Sequence, residues 1–394
     1  MFGDELFSRW LADLREQAPG IELFDAHTHI GQNDPDGFRC SAEELTATLT
    51  AAGARGVVFP MHEPDGYPAA NDQVIADSRR SEGRLTAFCR LDPSAEPLAE
   101  AQRCLDAGAA GIKLHPRAEG FALDTPSMEP VFAMADERGL GVLVHAGRGI
   151  PALGEHAVKV CERHPGLRLI LAHAGICDLA WIWKAAEELP NLFFDTAWWS
   201  ASDLLALYTL VPPGNILFAS DAPYSACSFA ASLNLRYALQ AGLSNDQLRI
   251  VFGGQLDRIL AAEELIDAGP APGPGGLDRD PLLDRVYTFL VAAIGQMFHG
   301  VEPAESLALT RLACEVGEDS PQAETCAAVV ALVDLREEVL RTGQDTGRPE
   351  RFVPGLALVV AAAALARTPG VPMPKLPRAS SLRRGAPDDR GRAP

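Results

Sequence analysis

The chain has no excess of basic residues, no apolar run long enough to cross a bilayer and no cysteine pair at metal-binding spacing. Its 34 lysines and arginines are outnumbered by 53 aspartates and glutamates, so its net charge is -19. A strongly acidic protein repels nucleic acid and anionic membranes, which argues against both as partners. A small-molecule substrate is the partner that this composition favours.

The eight cysteines form no CxxC motif and no regular framework, and several lie inside apolar segments, such as Cys89 and Cys104. We interpret them as reduced core residues of a cytoplasmic protein. The first residues lack the basic and apolar regions of a signal peptide. The longest apolar stretch, 353–366, contains proline and glycine near its start and is too short to span a membrane, so we predict a buried helix there.

From Ile21 to about Glu264, apolar β-branched runs alternate eight times with segments of helical period. Continuously apolar strands are typical of a parallel sheet that is covered on both faces. Helix starts are predicted at a capping box over 41–44 and at serine, threonine or proline in 93–94 and 125–126. The predicted strands are 21–30, 55–61, 84–91, 109–115, 140–145, 167–173, 191–196 and 215–221.

This alternation fits either a closed barrel or an open, doubly wound sheet. Functional-looking residues follow the first, fourth, fifth, sixth and eighth strands, as expected for a (β/α)8 barrel, whose sites draw on many strands. An open sheet would concentrate them at one switch point, and no glycine-rich dinucleotide or phosphate loop follows the first strand. We therefore predict an α/β protein with a (β/α)8 TIM barrel over residues 1–265.

The sequence after the barrel changes character twice. Residues 266–280 contain the run GPAPGPGG, which can hold neither helix nor strand, so we predict a linker. Residues 281–370 have helical periodicity without strand-like runs and predict an all-helical C-terminal extension. Residues 371–394 are rich in proline, glycine, serine and arginine, and we expect a disordered tail.

His27 and His29 end the first predicted strand. Side chains alternate between the two faces of a strand, so both imidazoles point the same way, about 7 Å apart. Imidazole is a common zinc ligand, and this pair indicates half of a metal site. Candidates for the rest stand where later apolar runs stop, at His145, His173 and Asp221. A lone histidine usually marks nothing, but a buried carboxylate needs a partner or a metal, so we expect a shared site.

Five motifs follow one another along the predicted barrel: DAHTH at 25–29, GIKLHP at 111–116, HAG at 145–147, HAG at 173–175 and SDAP at 220–223. Together they resemble the amidohydrolase superfamily of metal-dependent (β/α)8 barrels, and within it the amidohydrolase-2 branch with its aminocarboxymuconate-semialdehyde decarboxylase-like enzymes. The resemblance covers about residues 20–265. One departure is Gly-Gly-Gln at 253–255, where the branch commonly has a Gly-Asn pair before the final helix.

The resemblance implies a ligand set and a catalytic pair. It makes His27, His29, His145 and Asp221 the ligands of one divalent ion, which we expect to be Zn²⁺. It makes His173 a general base or an electrostatic stabiliser, with Asp221 as an alternative acceptor of the proton from water. Such an ion lowers the pKa of a bound water towards neutrality.

Lys113 and His115 each have two interpretations. Binuclear relatives often bridge two metals with a carboxylated lysine near the end of the fourth strand, where Lys113 stands. An unmodified Lys113 would instead pair with a substrate carboxylate, and we favour this interpretation together with a single metal ion. His115 would lie nearer the strand end, and a substrate contact and a structural hydrogen bond before Pro116 are equally open.

Further candidates for substrate binding fall on the same face of the barrel. If Arg90 and Arg148 point inward, they bind a substrate carboxylate, because guanidinium recognises such groups bidentately. For Arg117 we favour plain solvation. Trp198 is expected either to wall the pocket or to pack on a neighbouring helix, and Tyr224 to cap the site.

These observations predict a metal-dependent hydrolase, in which a metal-activated water attacks an amide, lactone or ester carbonyl of a small, carboxylate-bearing substrate. The alternative is a metal-dependent nonoxidative decarboxylase of an unsaturated or aromatic carboxylic acid, which inward arginines would favour over a neutral amide hydrolase. A binding or scaffold protein with a vestigial site is a third interpretation, and the complete ligand set counts against it. The helical extension is unusual for the branch, and a homo-oligomer or a regulatory role is compatible with it.

Overall fold

Eight parallel strands, hydrogen-bonded in chain order, form the central sheet of this protein. The computed structural model describes residues 2–277, 279–342 and 353–376. The strands are β1 Leu23–Ile30, β2 Ala54–Pro60, β3 Leu85–Arg90, β4 Gly111–Leu114, β5 Gly141–Val144, β6 Arg168–Leu171, β7 Leu192–Asp195 and β8 Ile216–Leu217. All eight predicted strands are present. β8 ends earlier than expected, because the Phe218 N–H donates to Val251 O at 2.9 Å instead of continuing the sheet.

Backbone hydrogen bonds close the sheet between its last and first strands. Ala26 N–H donates to Phe218 O at 2.9 Å, and Asp221 N–H donates to His27 O at 2.9 Å. His29 N–H also donates, to Ala222 O at 2.7 Å. The prediction of a (β/α)8 TIM barrel is therefore confirmed. Closure holds Asp221 against the end of β1, 194 residues away in the sequence by subtraction from His27.

Helices surround the strands in the order that the alternation predicted. They are α1 Phe2–Arg15, α2 Ala42–Ala52, α3 Pro68–Arg80, α4 Pro97–Asp106, α5 Pro116–Glu119, α6 Glu129–Arg138, α7 Leu153–Arg163, α8 Leu179–Glu188, α9 Ala201–Leu210, α10 Cys227–Gln240, α11 Asn245–Arg249 and α12 Gln255–Leu260. The barrel interior is apolar, with Phe24, Phe88 and Phe193 in one buried cluster.

Of the three helix starts predicted from the sequence, one is confirmed, one is wrong and one begins a 3-10 turn. The capping box is confirmed, because Ser41 caps Glu44 N–H and the Glu44 carboxylate accepts from Ser41 N–H. The start at 93–94 is wrong, since α4 begins at Pro97. Ser94 instead donates from its backbone and its hydroxyl to Asp92, which forms a turn. The start at 125–126 opens a short 3-10 turn, Pro126–Met128, that leads into α6.

The described residues divide into two compact units, one formed by residues 7–277 and the other by residues 2–6, 279–342 and 353–376. The helical C-terminal extension is present as α13 Pro281–Phe298, α14 Ala304–Ala313, α15 Ala323–Thr342 and α16 Leu356–Arg367. The apolar run predicted to form a buried helix lies largely in α16, whose side chains are mostly buried. Most of the predicted tail, from 377 onward, lies outside the described residues. Among the described helices, none has the length and apolarity to cross a membrane.

Gly253 lies in a π-helical turn, Ile250–Gly254, packed against the start of β1. A Cβ atom at this position would lie 2.6 Å from the backbone oxygen of Glu22. A backbone atom cannot move aside as a side chain can, so the close approach requires glycine. The same turn supplies the Val251 oxygen that receives Phe218 N–H where β8 ends.

Candidate metal centre

His27, His29 and Asp221 converge at the C-terminal end of the barrel. His29 Nε2 lies 3.1 Å from His27 Nε2 and 3.1 Å from Asp221 Oδ1. His27 Nε2 lies 3.2 Å from the same Asp221 oxygen. Strand alternation puts both histidines on one face of β1, and closure of the barrel brings Asp221 to them. Among the described residues, these three form the group of histidine, cysteine and acidic side chains that could hold a metal ion, with ligand atoms all within 4.8 Å of one another.

The protonation of His27 is set by a buried carboxylate on β7. His27 Nδ1–H donates to Asp195 Oδ2 at 2.7 Å, and the two side chains are 1% and 0% exposed. Loss of hydration lowers the pKa of both His27 and His29 well below the ordinary value, so both rings are neutral. Neutral His27 with its proton on Nδ1 presents a lone pair from Nε2 towards Asp221.

This arrangement fits a divalent cation. A lone pair on His27 Nε2 and a carboxylate oxygen of Asp221 at 3.2 Å repel each other unless a proton or a metal cation lies between them. Two ligands of a tetrahedral ion, each about 2.0–2.2 Å from it, lie about 3.3–3.6 Å apart, slightly more than the 3.1–3.2 Å separations here. His29 Nδ1 is buried and has no hydrogen-bond partner among the described residues, so the contacts of this ring are made through Nε2. Asp221 remains 21% exposed, which leaves one side of the group open.

The backbone is strained where the later site residues leave their strands. Asp221 has φ 63° and His173 has φ 56°, in the left-handed region that non-glycine residues rarely adopt. Such a backbone conformation costs about 1–3 kcal/mol per residue and is found mostly at functional sites, where surrounding contacts maintain it. The holding contacts are the Asp221 N–H bond to His27 O and a bond from His173 N–H to Asp195 Oδ1 at 2.8 Å.

A second group of histidines lies beside the first. His173 Nδ1–H donates to Ala197 O at 2.8 Å, which leaves its Nε2 to accept from His145 Nδ1–H at 3.0 Å. The His173 ring centre lies 5.2 Å from that of His27. His145, expected as the fourth ligand, is thus brought next to His173 and lies outside the three-atom group. Burial lowers the pKa of both His145 and His173.

His115 stacks on His145 with ring centres 3.9 Å apart and an interplanar angle of 10°. Its Nδ1 accepts from Ala118 N–H at 3.1 Å and so caps the short helix α5. The structural hydrogen bond that the sequence left open is therefore present. The ring also covers one face of His145, so His115 borders the site even in this role.

Lys113 is buried completely beside the metal candidates. Its Nζ lies 3.3 Å from His27 Nε2 and 4.5 Å from the centre of the Phe59 ring. Burial lowers the pKa of Lys113 to about 7, although the carboxylates of Asp195 and Asp221 act in the opposite direction. The amine is therefore placed where it can meet a group bound at the three ligand atoms.

Arg90 is engaged by a protein carboxylate. Its Nη2 donates to Glu119 Oε1 at 2.7 Å, with the side chains 2% and 5% exposed. Nη1 donates to Pro60 O at 3.3 Å, and Tyr67 O–H donates to the same Glu119 oxygen at 2.6 Å. This pairing occupies the face of the guanidinium that a substrate carboxylate would need. The sequence showed Arg90 but not the carboxylate that binds it.

Arg148, Trp198 and Tyr224 lie around the opening. Arg148 is exposed, with its guanidinium carbon 5.5 Å from the centre of the Trp198 ring. Trp198 lies 6.4 Å from the His173 ring and donates through Nε1 to Asp203 at 2.7 Å. Tyr224 meets the His29 ring edge-on at 5.3 Å, and its hydroxyl donates to Asp34 at 2.6 Å. All three therefore border the site.

Sequence reasoning assigned no role to the buried carboxylates Asp25 and Asp195. Asp25 accepts from His27 N–H at 3.1 Å and Ser220 N–H at 2.9 Å, and so joins β1 to the segment before Asp221. Burial raises its pKa to about 7. The argument that identified Asp221, a carboxylate within an otherwise apolar strand, applies equally to Asp25 and Asp195 and could have found both.

A cleft of about 630 Å³ opens at the same end of the barrel, above β3, β4 and β5. Its walls come from the loops after these three strands: Pro93, Ser94, Pro116, Arg117, Glu119, Gly120, Phe121, Ala122, Thr125, Gly149, Ile150 and Pro151. The volume lies within the range of about 300–1,000 Å³ that small-molecule sites have. Arg117, expected to be merely solvated, is exposed and lines this cleft.

The amidohydrolase family model matches residues 24–254, more than half of the chain. No curated protein matches this chain. The 5-carboxyvanillate decarboxylase of Sphingomonas paucimobilis is 17% identical with a TM-score of 0.50, covering 61% of this chain and 99% of its own. An uncharacterised TIM-barrel protein of Bordetella bronchiseptica is 18% identical with a TM-score of 0.49, covering 66% and 90%. A probable 2-pyrone-4,6-dicarboxylic acid hydrolase of Acinetobacter baumannii is 11% identical with a TM-score of 0.47, covering 61% and 100%. At 17% identity, the likeness to the decarboxylase is one of fold.

Proposed function

This chain belongs to the amidohydrolase family, and we propose that it is a metal-dependent hydrolase of an amide, lactone or ester in a small, carboxylate-bearing molecule. Members of this superfamily are metal-dependent, and His27, His29 and Asp221 would hold the ion, which we take to be a single Zn²⁺. The observation that carries the proposal is the convergence of their three ligand atoms within 3.2 Å, with a lone pair of His27 directed at Asp221. When bound, the ion would supply a Lewis acid that polarises a carbonyl and lowers the pKa of water.

The protein's own groups account for proton movement. Asp221 is partly exposed, so its carboxylate can accept a proton from the attacking water. His173 is neutral because burial lowers its pKa, and its Nε2 is the acceptor nitrogen of the ring. A proton taken up at that nitrogen would displace the hydrogen bond from His145 and could then pass to the leaving group. Asp221 and His173 are therefore the proposed catalytic residues.

Two cationic groups support a carboxylate on the substrate. Lys113 lies beside the ligand atoms, whereas Arg148 is exposed at the opening with Trp198 beneath it. Arg148 offers a planar guanidinium that can take a carboxylate in two parallel hydrogen bonds, over an aromatic surface. The cleft above β3 to β5 would take the part of the substrate that does not react. His115 and Tyr224 would shape the inner wall.

Nonoxidative decarboxylation is the second candidate, and the position of Lys113 favours it. A protonated Lys113, 3.3 Å from His27 Nε2, would draw a substrate carboxylate towards the metal ligands. In that case His173 Nε2 would first take up a proton from water and would then pass it to the carbon that has lost CO₂. The two candidates use the same residues and differ in whether a carbonyl or a carboxylate of the substrate lies beside the metal ligands.

Metal analysis of the purified protein and a product-resolved screen test the proposal. The screen offers carboxylate-bearing lactones, amides and esters alongside unsaturated and aromatic acids, and follows hydrolysis and CO₂ release separately. We expect hydrolysis that depends on one equivalent of zinc and is lost in Asp221→Asn. The matched control is His156→Gln on α7, whose ring pairs with Asp124 away from the ligand group. Release of CO₂ selects the decarboxylase, and turnover that survives both chelation and Asp221→Asn overturns the proposal.

A further inference from the structure

Asp195 is a carboxylate at the end of β7 whose two oxygens serve different parts of the site. Oδ2 accepts from His27 Nδ1–H at 2.7 Å. Oδ1 accepts from the backbone N–H of His173 at 2.8 Å and of Ala197 at 3.0 Å. The side chain is 0% exposed, so water does not share these contacts. One carboxylate thus touches a proposed ligand and the turn that carries the proposed base.

The first contact decides which nitrogen of His27 is available. A carboxylate can only accept, so the proton of neutral His27 must stay on Nδ1 and the lone pair on Nε2. That lone pair faces Asp221 and His29 at 3.2 Å and 3.1 Å. With the other tautomer, an N–H would point into the group and no ligand atom would remain on this ring.

The second contact decides where the His173 ring lies. His173 leaves β6 with φ 56° and Ala174 follows with φ 57°, so this turn needs external support. Asp195 Oδ1 binds the His173 amide directly, and it also binds the amide of Ala197, whose carbonyl receives His173 Nδ1–H. Both the backbone and the ring of His173 are therefore anchored through Asp195.

The geometry points to Asp195 as a positioning residue that fixes the His27 tautomer and the His173 turn together, and so couples the metal ligands to the base. It touches neither substrate nor metal and acts through these two histidines. The inference extends the proposed function, on which its catalytic meaning rests. The tautomer and the turn, however, are properties of the protein alone and can be measured without metal.

Asp195→Asn separates the two contacts. Two backbone amides at Oδ1 force the asparagine oxygen to that side, so its NH₂ must face His27 Nδ1 and donate to it. The His27 proton then moves to Nε2, whereas the His173 turn keeps its acceptor. Asp195→Ala removes both contacts. Asp257→Asn on α12 is the matched control, since that carboxylate pairs with Arg55 at the surface.

We expect three results. In ¹⁵N-histidine-labelled, metal-free protein, two-bond ¹H–¹⁵N spectra should show an Nδ1–H tautomer for His27 that Asp195→Asn converts to Nε2–H. Zinc affinity, measured by competition with a chromophoric chelator, should fall about 10–100-fold in Asp195→Asn and stay unchanged in Asp257→Asn. Hydrogen exchange at the amides of His173 and Ala197 should accelerate in Asp195→Ala and remain slow in Asp195→Asn.

Wild-type zinc affinity and an unchanged His27 tautomer in Asp195→Asn would overturn the inference. Loss of the folded state in that near-isosteric variant would also overturn it, because Asp195 would then serve the fold rather than the site. Absence of zinc binding by the wild-type protein would count against the proposed function, and the metal-free spectra would still decide the role of Asp195.

Discussion

The Lys113 amine lies 3.3 Å from His27 Nε2, the atom that we assign to a metal ion. Both side chains are almost entirely shielded from water, so their interaction is weakly screened. A cationic Lys113 would lower the affinity for a metal ion by repulsion, and it would raise the affinity for a carboxylate substrate at the same place. A carboxylated Lys113 would do the opposite and would add ligand oxygens.

We expect Lys113 to be unmodified. Protein equilibrated with ¹³C-bicarbonate should then show no carbamate resonance, and added bicarbonate should leave the zinc content at one per chain. Lys113→Met should raise KM for carboxylate substrates, because a buried cation is lost, whereas Lys159→Met on the exposed face of α7 should not. A carbamate signal that disappears in Lys113→Met, together with a second equivalent of zinc, would establish the bridged, binuclear site instead.

His29→Gln should abolish metal retention, because the ring supplies one of three converging ligand atoms and a neutral amide is a poor zinc ligand. Zinc per chain after dialysis, measured by elemental analysis, should fall from one to near none. His156→Gln serves as the control. Full zinc content in His29→Gln would contradict the assigned ligand group.

Arg148→Met should separate binding from chemistry. Loss of a charge-assisted hydrogen bond worth about 1.5–3 kcal/mol raises KM for a carboxylate substrate about 10–100-fold, and kcat should change little. Arg117→Met, in the cleft wall, is the comparison variant. Steady-state kinetics with a carboxylate substrate and its methyl ester provide the measurement. An equal rise in KM for the ester would show that charge recognition is not the role of Arg148.

Arg90→Met should destabilise the barrel by about 3–5 kcal/mol, because it leaves the buried Glu119 carboxylate without its cation. The exposed pair of Arg55 and Asp257 predicts a loss of only about 0–1 kcal/mol for Asp257→Asn. Urea unfolding followed by tryptophan fluorescence measures both. A small loss of stability with a large rise in KM would instead return Arg90 to the substrate site that the sequence suggested.

Gly253→Ala should lower the free energy of unfolding by about 1–3 kcal/mol, because the new Cβ would lie against the Glu22 backbone oxygen. Gly275→Ala has no neighbour within 4 Å and no left-handed backbone, so it should be neutral or stabilising by about 0.4–1 kcal/mol. The same unfolding assay compares the two variants. Equal stabilities would show that the turn against β1 can relax.

Periodicity was enough to predict eight strands and the barrel, because each strand has an apolar sequence and each connection is long enough for a helix. The limits of the elements were less predictable. β8 is short because the Phe218 N–H donates a hydrogen bond to the Val251 oxygen. α4 starts late because the Ser94 N–H donates to the Asp92 carboxylate in a turn. Both outcomes depend on a hydrogen bond that competes with the regular structure, and local propensity does not reveal it.

By itself the sequence determined which residue types stand at the strand ends, and strand alternation determined that His27 and His29 share a face. The resemblance of the motifs predicted that Asp221 joins their group, and the structure brings its carboxylate there. Only the tertiary structure decided that His145 pairs with His173 and that Glu119 binds Arg90. The physical reason is that a barrel closes its first strand on its last. Contacts across that closure and between neighbouring loops join residues that are far apart in the chain, and no periodic pattern records which of them meet.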